Sequence, residues 1–192
     1  IWIDILTPKQ LLFAEPMIRK LRKKHVVLCT SRTYDEVSKL AKIRNFDLVL
    51  VGKHGGSEKY DKLEASVNRI KELSLLINKF SPELTISFCS PEAARISFGM
   101  GVKHIAFCDS PHASAVMKLT LPLIQKLLIP WIIPKKEFSK YGINVKDIIS
   151  YRAIDASVTI KRIVNQNNPL PFKNNHKKNI LIRLEEEQAS YT

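Results

Sequence analysis

The densest set of groups able to do chemistry in this sequence is Asp109-Ser110-Pro111-His112. An Asp and a His three residues apart across a turn can form a hydrogen-bonded acid–base pair. The carboxylate raises the imidazole pKa and orients the ring to take a proton from a hydroxyl. Asp109 reads equally well as a cap for a following helix. A second candidate is Gly52-Lys53-His54-Gly55-Gly56, which places three of the chain's six glycines beside a cation and an imidazole. Such a turn lets backbone approach a phosphate or a sugar. It matches neither phosphate-loop fingerprint, GxxxxGK before Ser or Thr, or GxGxxG, and a structural turn is the alternative.

Three further stretches carry polar groups at strand ends. Thr30-Ser31-Arg32 offers a guanidinium that could clamp a carboxylate or phosphate with paired hydrogen bonds, or pair internally with Asp35 or Asp4. Thr7-Pro8-Lys9-Gln10 opens a helix whose free N–H groups can meet an anion or a sugar hydroxyl, with Thr7 as a plain N-cap and Pro8 at the first helical position as the alternative. Ser90, before Pro91 and Glu92, reads either as an N-cap or as a ligand contact. Asp4 sits inside an apolar run, where a carboxylate requires a partner.

Other chemistries are disfavoured. His25, His54, His104, His112 and His176 are far apart, without HxxxH or HExxH spacing, so no metal and no cofactor is expected. The serine nucleophile elbow GxSxG is absent. Cys29, Cys89 and Cys108 are odd in number, widely spaced and set in apolar runs, which argues for free thiols in a reducing, cytoplasmic compartment.

The elements that must position these residues follow from periodicity. Short β-rich runs at 1–6, 25–30, 46–51, 84–89, 103–108 and 129–133 alternate with helical patterns at 9–24, 34–45, 58–80, 92–98 and 113–128. This alternation predicts an α/β fold, a Rossmann-like parallel sheet of about six strands with helices on both faces. Leu63, Val67, Ile70, Leu73, Ile77 and Phe80 recur at spacings of three or four, giving the third helix one buried face. Pro122 breaks the last helix. Beyond 134 the pattern loosens to a short basic helix at 135–141, a candidate strand at 147–151 and a helix at 153–163. In such a sheet ligands bind at the carboxyl ends of the strands.

The 192 residues carry 31 Lys+Arg against 18 Asp+Glu, a formal charge of +13. Arg19, Lys20, Arg22, Lys23 and Lys24 end the first helix, and Lys161, Arg162, Lys173, Lys177 and Lys178 form a later cluster. Helix-dipole complementation is one reading. A peripheral surface for anionic lipid, beside the apolar stretch 119–133 with Trp131, is the other. That stretch is interrupted by prolines and Lys126 and is too short to span a bilayer. Nucleic acid is disfavoured, since no aromatics interleave with the basic residues. Residues 1–164 read as one domain, 165–178 as a polar linker with two prolines, and 179–192 as the start of a second, truncated domain.

The stretches IWIDILTPKQLLFAEPMIRKLRKKHVVLCTSR, VGKHGG and SFCSPEAARISFGMGVKHIAFCDSPHA, with RLEEEQASY near the far end, resemble the N-terminal half of a largely archaeal family catalogued only as a domain of unknown function. That family is similar to GT-B glycosyltransferases and UDP-N-acetylglucosamine 2-epimerases. The resemblance implies a GT-B N-terminal domain, with a second domain binding the nucleotide sugar. Asp109 and His112 would then be catalytic. Thr7, Arg32, His54, Gly55, Gly56 and Ser90 would lie with them on the rim facing the cleft, Arg32 or Lys53 would hold an anionic acceptor or a donor phosphate, and Asp4 is expected among the substrate-binding residues; the acceptor would be a sugar or lipid-linked. Members of the similar families often carry a histidine in the first loop where this chain has Gln10, which moves the expected base to the Asp109/His112 pair. The expected function is the acceptor side of a glycosyl-transferring or epimerising enzyme, inactive as this fragment. The alternative is a non-catalytic module docking a polyanion or a lipid-linked acceptor.

Overall fold

Apolar residues that alternate by two and by three or four dictate strands and helices in turn, and the chain follows that script through residue 151. The computed structural model describes residues 1–33, 35–158, 180 and 182. The elements are β1 (Trp2–Asp4), α1 (Pro8–Leu21), β2 (Leu28–Thr33), α2 (Asp35–Ile43), β3 (Val49–Lys53), α3 (Lys59–Phe80), β4 (Leu84–Ser87), α4 (Pro91–Gly99), β5 (Lys103–Phe107), α5 (Ser114–Thr120), β6 (Lys126–Pro130), α6 (Lys136–Ser139) and β7 (Ile148–Tyr151). The linker expected at 165–178 lies outside the described residues. So does the second-domain segment at 179–192, apart from residues 180 and 182, and the helix expected at 153–163 beyond residue 158.

The strands form one seven-stranded sheet in the order β3-β2-β1-β4-β5-β6-β7, parallel throughout. Strand alternation divides the core. Ile3 and Ile5 pack with Leu11, Ala14 and Ile18 of α1 and Ala41 of α2, whereas Trp2 packs with Leu73 and Ile77 of α3 and Ala93 and Ile96 of α4. Helices therefore cover both faces. Each such fully buried Leu or Ile contributes about 1.5–3 kcal/mol. A third cluster, with Met117, Leu121, Leu127, Ile129, Phe138 and Ile148, closes the β6–β7 end.

Several boundaries differ from those expected. The helix read at 113–128 ends at Thr120, continues as a short 3-10 turn at Leu121–Leu123, and gives way to β6 three residues before the expected strand at 129–133. Pro122 has no N–H to extend α5, and the apolar run after it has the burial of an inner strand. β7 makes the sheet seven-stranded, because Leu127–Pro130 finds register with Ile148–Tyr151. β2 and β3 run later than expected, to Thr33 and Lys53, since their pairing continues past an irregularity to Thr33 opposite Lys53. Arg32 and Gly52 thus lie in strands. In α3 the buried stripe covers only the C-terminal part: Leu73 and Ile77 are buried, while Leu63 and Val67 are 62% and 55% exposed.

Candidate functional site

Seven strands pointing one way put all their carboxyl ends on one rim, and the order reverses between β1 and β4. At such a reversal the loops diverge to opposite faces and leave a crevice. A cleft of about 290 Å³ opens there, walled by the β1–α1 loop, the ends of β4 and β5, α5 and Asp155.

The cleft has an aromatic side. Phe13 on α1 meets Phe88 edge-on with centroids 5.3 Å apart, and Phe107 at the same separation. Phe88 stacks on Phe107 at 5.6 Å, and Phe107 lies 6.2 Å from Tyr151. These rings come from the first turns of α1 and the carboxyl ends of β4, β5 and β7, and the start of α1 is capped. Thr7 accepts a hydrogen bond from the Gln10 amide, and the Gln10 side chain accepts one from the Leu6 amide, a capping-box arrangement shifted by one residue.

The polar side centres on Lys9. Its ammonium forms an ion pair with Asp109 and lies 3.5 Å from an oxygen of Asp155. The Ser110 hydroxyl donates to Asp109 at 2.8 Å, and the Tyr151 phenol donates to Asp155 at 2.5 Å. Burial works against ionising both Lys9 and Asp109. Their mutual hydrogen bond and charge overcome it, raising Lys9 and lowering Asp109. Asp155 is raised, by burial and by the nearby Asp109 charge against the hydrogen bond from Tyr151. Burial, with the hydrogen bond to Asp155, pushes the Tyr151 phenol above its usual range. One ammonium thus bridges two unlike carboxylates, the Asp109 pKa lowered and the Asp155 pKa raised.

The residues expected from sequence separate into three groups. Thr7 and Asp109 line the cleft. Arg32, Lys53, His54, Gly55 and Gly56 share its rim, but at the β2–β3 end. From β3 to β5 is four strand positions, roughly 19 Å at about 4.8 Å each. There His54 Nδ1 accepts from the Gly56 amide at 3.1 Å. A Cβ on Gly55 would fall 2.6 Å from the Lys62 Cα, so glycine is what lets this loop lie against α3.

Asp4 and Ser90 form the third group, and both are fully buried. Asp4 receives two hydrogen bonds from Arg69 and one from Thr30, whose hydroxyl also accepts from the Trp2 indole. Ser90 caps α4 through the Ala93 amide and donates to Glu92, which lies 3.6 Å from Arg69. The Asp109 carboxylate is engaged by Lys9 and Ser110, while His112 stands exposed on the next turn.

Sequence reasoning assigned no role to Lys9, Asp155 or Arg69. Asp155 follows β7, and counting that strand would have placed its loop on the rim. Arg69 shares the four-residue spacing of Leu73 and Ile77 on the inward face of α3, the place from which a cation can meet Asp4. Among the described residues no group of three or more His, Cys, Asp or Glu is placed to hold a metal ion, and no helix is long and apolar enough to cross a membrane. All three cysteines are buried and free.

A family model described as "Protein of unknown function (DUF354)" matches residues 1–192. The uncharacterized protein MJ0665 of Methanocaldococcus jannaschii is 32% identical over 143 residues, which is 74% of this chain and 42% of that protein. The fold is shared with UDP-GlcNAc 2-epimerase from Neisseria meningitidis bound to UDP-GlcNAc (TM-score 0.66, 14% identity, 85% of this chain and 49% of that one). It is shared also with UDP-GlcNAc 2-epimerase from Methanocaldococcus jannaschii (0.62, 15%, 86% and 49%) and with MurG from Acinetobacter baumannii (0.56, 8%, 81% and 46%). The chain spans about half the length of these proteins.

Proposed function

The chain belongs to the DUF354 family, and from that premise we propose that it forms the acceptor-side domain of a GT-B-like enzyme that transfers or epimerises a sugar carried on a nucleotide. The observation that carries this reading is Lys9, held between Asp109 and Asp155 beside an aromatic wall at the sheet's reversal point. Phe13, Phe88 and Phe107 supply the flat apolar surface a sugar ring packs on, and the ionisable groups supply orientation and proton transfer. A sugar hydroxyl entering the cleft would surrender its proton to a carboxylate, Asp155 being the better acceptor, or to His112 at the mouth. Lys9 would turn to a phosphate or to the charge developing on the substrate. Arg32 and Lys53, with the His54-Gly55-Gly56 turn, would hold a more distant anionic end.

The structural relatives include one bound to UDP-GlcNAc, and their length leaves room for a second, nucleotide-binding half. The 192 residues alone are then expected to lack turnover. The acceptor would be a sugar or a lipid-linked sugar, met in a reducing, cytoplasmic compartment at a membrane periphery. The test is nucleotide-sugar consumption by the full-length protein. Asp109→Asn and Lys9→Met are each expected to lower kcat by about 100-fold or more with the fold intact; His112→Ala measures that ring's share. Full turnover in both the Asp109 and Lys9 variants would remove the assignment.

A further inference from the structure

We propose that the turn after β6, with Trp131 and Ile132 at its tip, docks on an anionic lipid bilayer and sets the mouth of the cleft against it. Trp131 and Ile132 are 60% and 63% exposed. They leave the carboxyl end of β6 and so stand on the rim that carries the cleft. The link is short: the Trp131 amide donates to the Tyr151 carbonyl at 2.9 Å, and the Tyr151 phenol bonds Asp155 in the cleft wall. Ile154, 49% exposed, is on the same rim.

The charge around this tip is one-sided. Among the described residues, Lys135, Lys136, Lys140 and Arg152 follow β6 and β7 closely in the chain, and the acidic residues near them in sequence are Glu137, which Lys140 engages at 2.9 Å, and Asp155, held in the cleft wall. An exposed indole beside an aliphatic side chain, ringed by cations, suits the interfacial layer of a membrane. The ring lies at headgroup depth while the ammonium groups meet lipid phosphates. The turn is also held in place. Phe138 is fully buried beneath it, the Ile133 amide bonds the Pro130 carbonyl at 3.1 Å, and the Tyr141 phenol bonds the Pro111 carbonyl at 3.1 Å. A prearranged tip loses little freedom on binding. For its purpose the inference rests on the functional reading, since a lipid-borne acceptor would reach the cleft at such a surface, but its test needs no turnover.

The full-length protein is mixed with vesicles of equal parts phosphatidylglycerol and phosphatidylcholine, and with phosphatidylcholine alone. Co-sedimentation is expected with the anionic vesicles only, weakening in high salt. Trp131→Ser with Ile132→Ser, and separately Lys135→Glu with Lys136→Glu, should each reduce partitioning by about tenfold or more, with unchanged circular dichroism and melting. Brominated lipid should quench a fluorescence component that Trp131→Phe removes, because Trp2 is fully buried. Undiminished binding by the Trp131/Ile132 variant, no binding by the wild type, or a Trp131 already shielded from acrylamide before vesicles are added would each overturn the proposal. The last result would mean that another part of the protein, or a second copy, covers the tip. Vesicle binding without sugar turnover would sink the functional reading alone, and turnover on a water-soluble acceptor without vesicle binding would sink the docking surface alone.

Discussion

Arg69 grips Asp4 with two hydrogen bonds, 2.6 and 3.1 Å long, where solvent does not reach either side chain. The pair ties α3 to β1 behind the cleft, and Arg69 also donates to the Val51 carbonyl at 3.0 Å, reaching β3. Burial alone would raise Asp4, yet the Arg69 charge and hydrogen bonds hold it below the usual carboxylate range.

Removing one member leaves the other charged and stranded. Arg69→Met is expected to cost roughly 3–5 kcal/mol, read as a lower midpoint in urea denaturation. Adding Asp4→Leu should return a large part of that loss, because an apolar pair replaces a lone carboxylate. A double variant no more stable than Arg69→Met would contradict the account.

His104 governs a separate pH window. Its Nε2 shares a 2.8 Å hydrogen bond with the Ser87 hydroxyl, its Nδ1 has no hydrogen-bond partner among the described residues, and burial lowers its pKa from 6.5 to about 4. Between those values the unfolded chain binds a proton that the folded one refuses. Stability therefore falls as pH drops from about 6.5 to about 4 and levels below, by up to about 3 kcal/mol. The Asp4 contribution has a lower window, present above its unfolded value and lost as pH falls through its depressed folded one. Subtracting the profile of His104→Gln from the wild-type profile, both measured by denaturation at successive pH, should isolate the upper window.

Gly52 is required by Arg69. Its φ is +74°, and a Cβ there would lie 2.8 Å from the Arg69 Cβ and Cγ. Gly52→Ala should destabilise by about 1–3 kcal/mol from backbone strain alone, with the clash added. A melting temperature within a degree or so of wild type would show that the arginine stem can move aside.

Lys9 sets the ionisation of its neighbours. In Lys9→Met both Asp109 and Asp155 should titrate at higher pH than in wild type, since the cation that favours their charged forms is gone. Carboxyl carbon shifts followed by NMR across the acid range would read this directly. Unmoved titrations would mean that the ammonium lies elsewhere in solution.

Much of the architecture could be read from periodicity, because inner strands such as Leu84–Ser87 and the long α3 announce themselves in apolar spacing. The rim loops were legible for the same reason: each follows a strand. What escaped was pairing across the sheet. Nothing local links Lys9 to Asp109, a hundred residues on, or Arg69 to Asp4. Asp109 and His112 could be singled out because they are close in sequence; the lysine that engages Asp109 could not. The β6 boundary escaped because an apolar run after a proline suits helix and strand alike until its neighbour, β7, is known.

The bridging position of Lys9 gives the two carboxylates of the cleft a single shared counter-ion. A neutral sugar would offer the ammonium nothing that two carboxylates do not already give, whereas a phosphate or uronate would compete for it and free a carboxylate. On the proposed function, proton-accepting capacity would then be unmasked by the charge of the guest, and selection would precede any bond breaking.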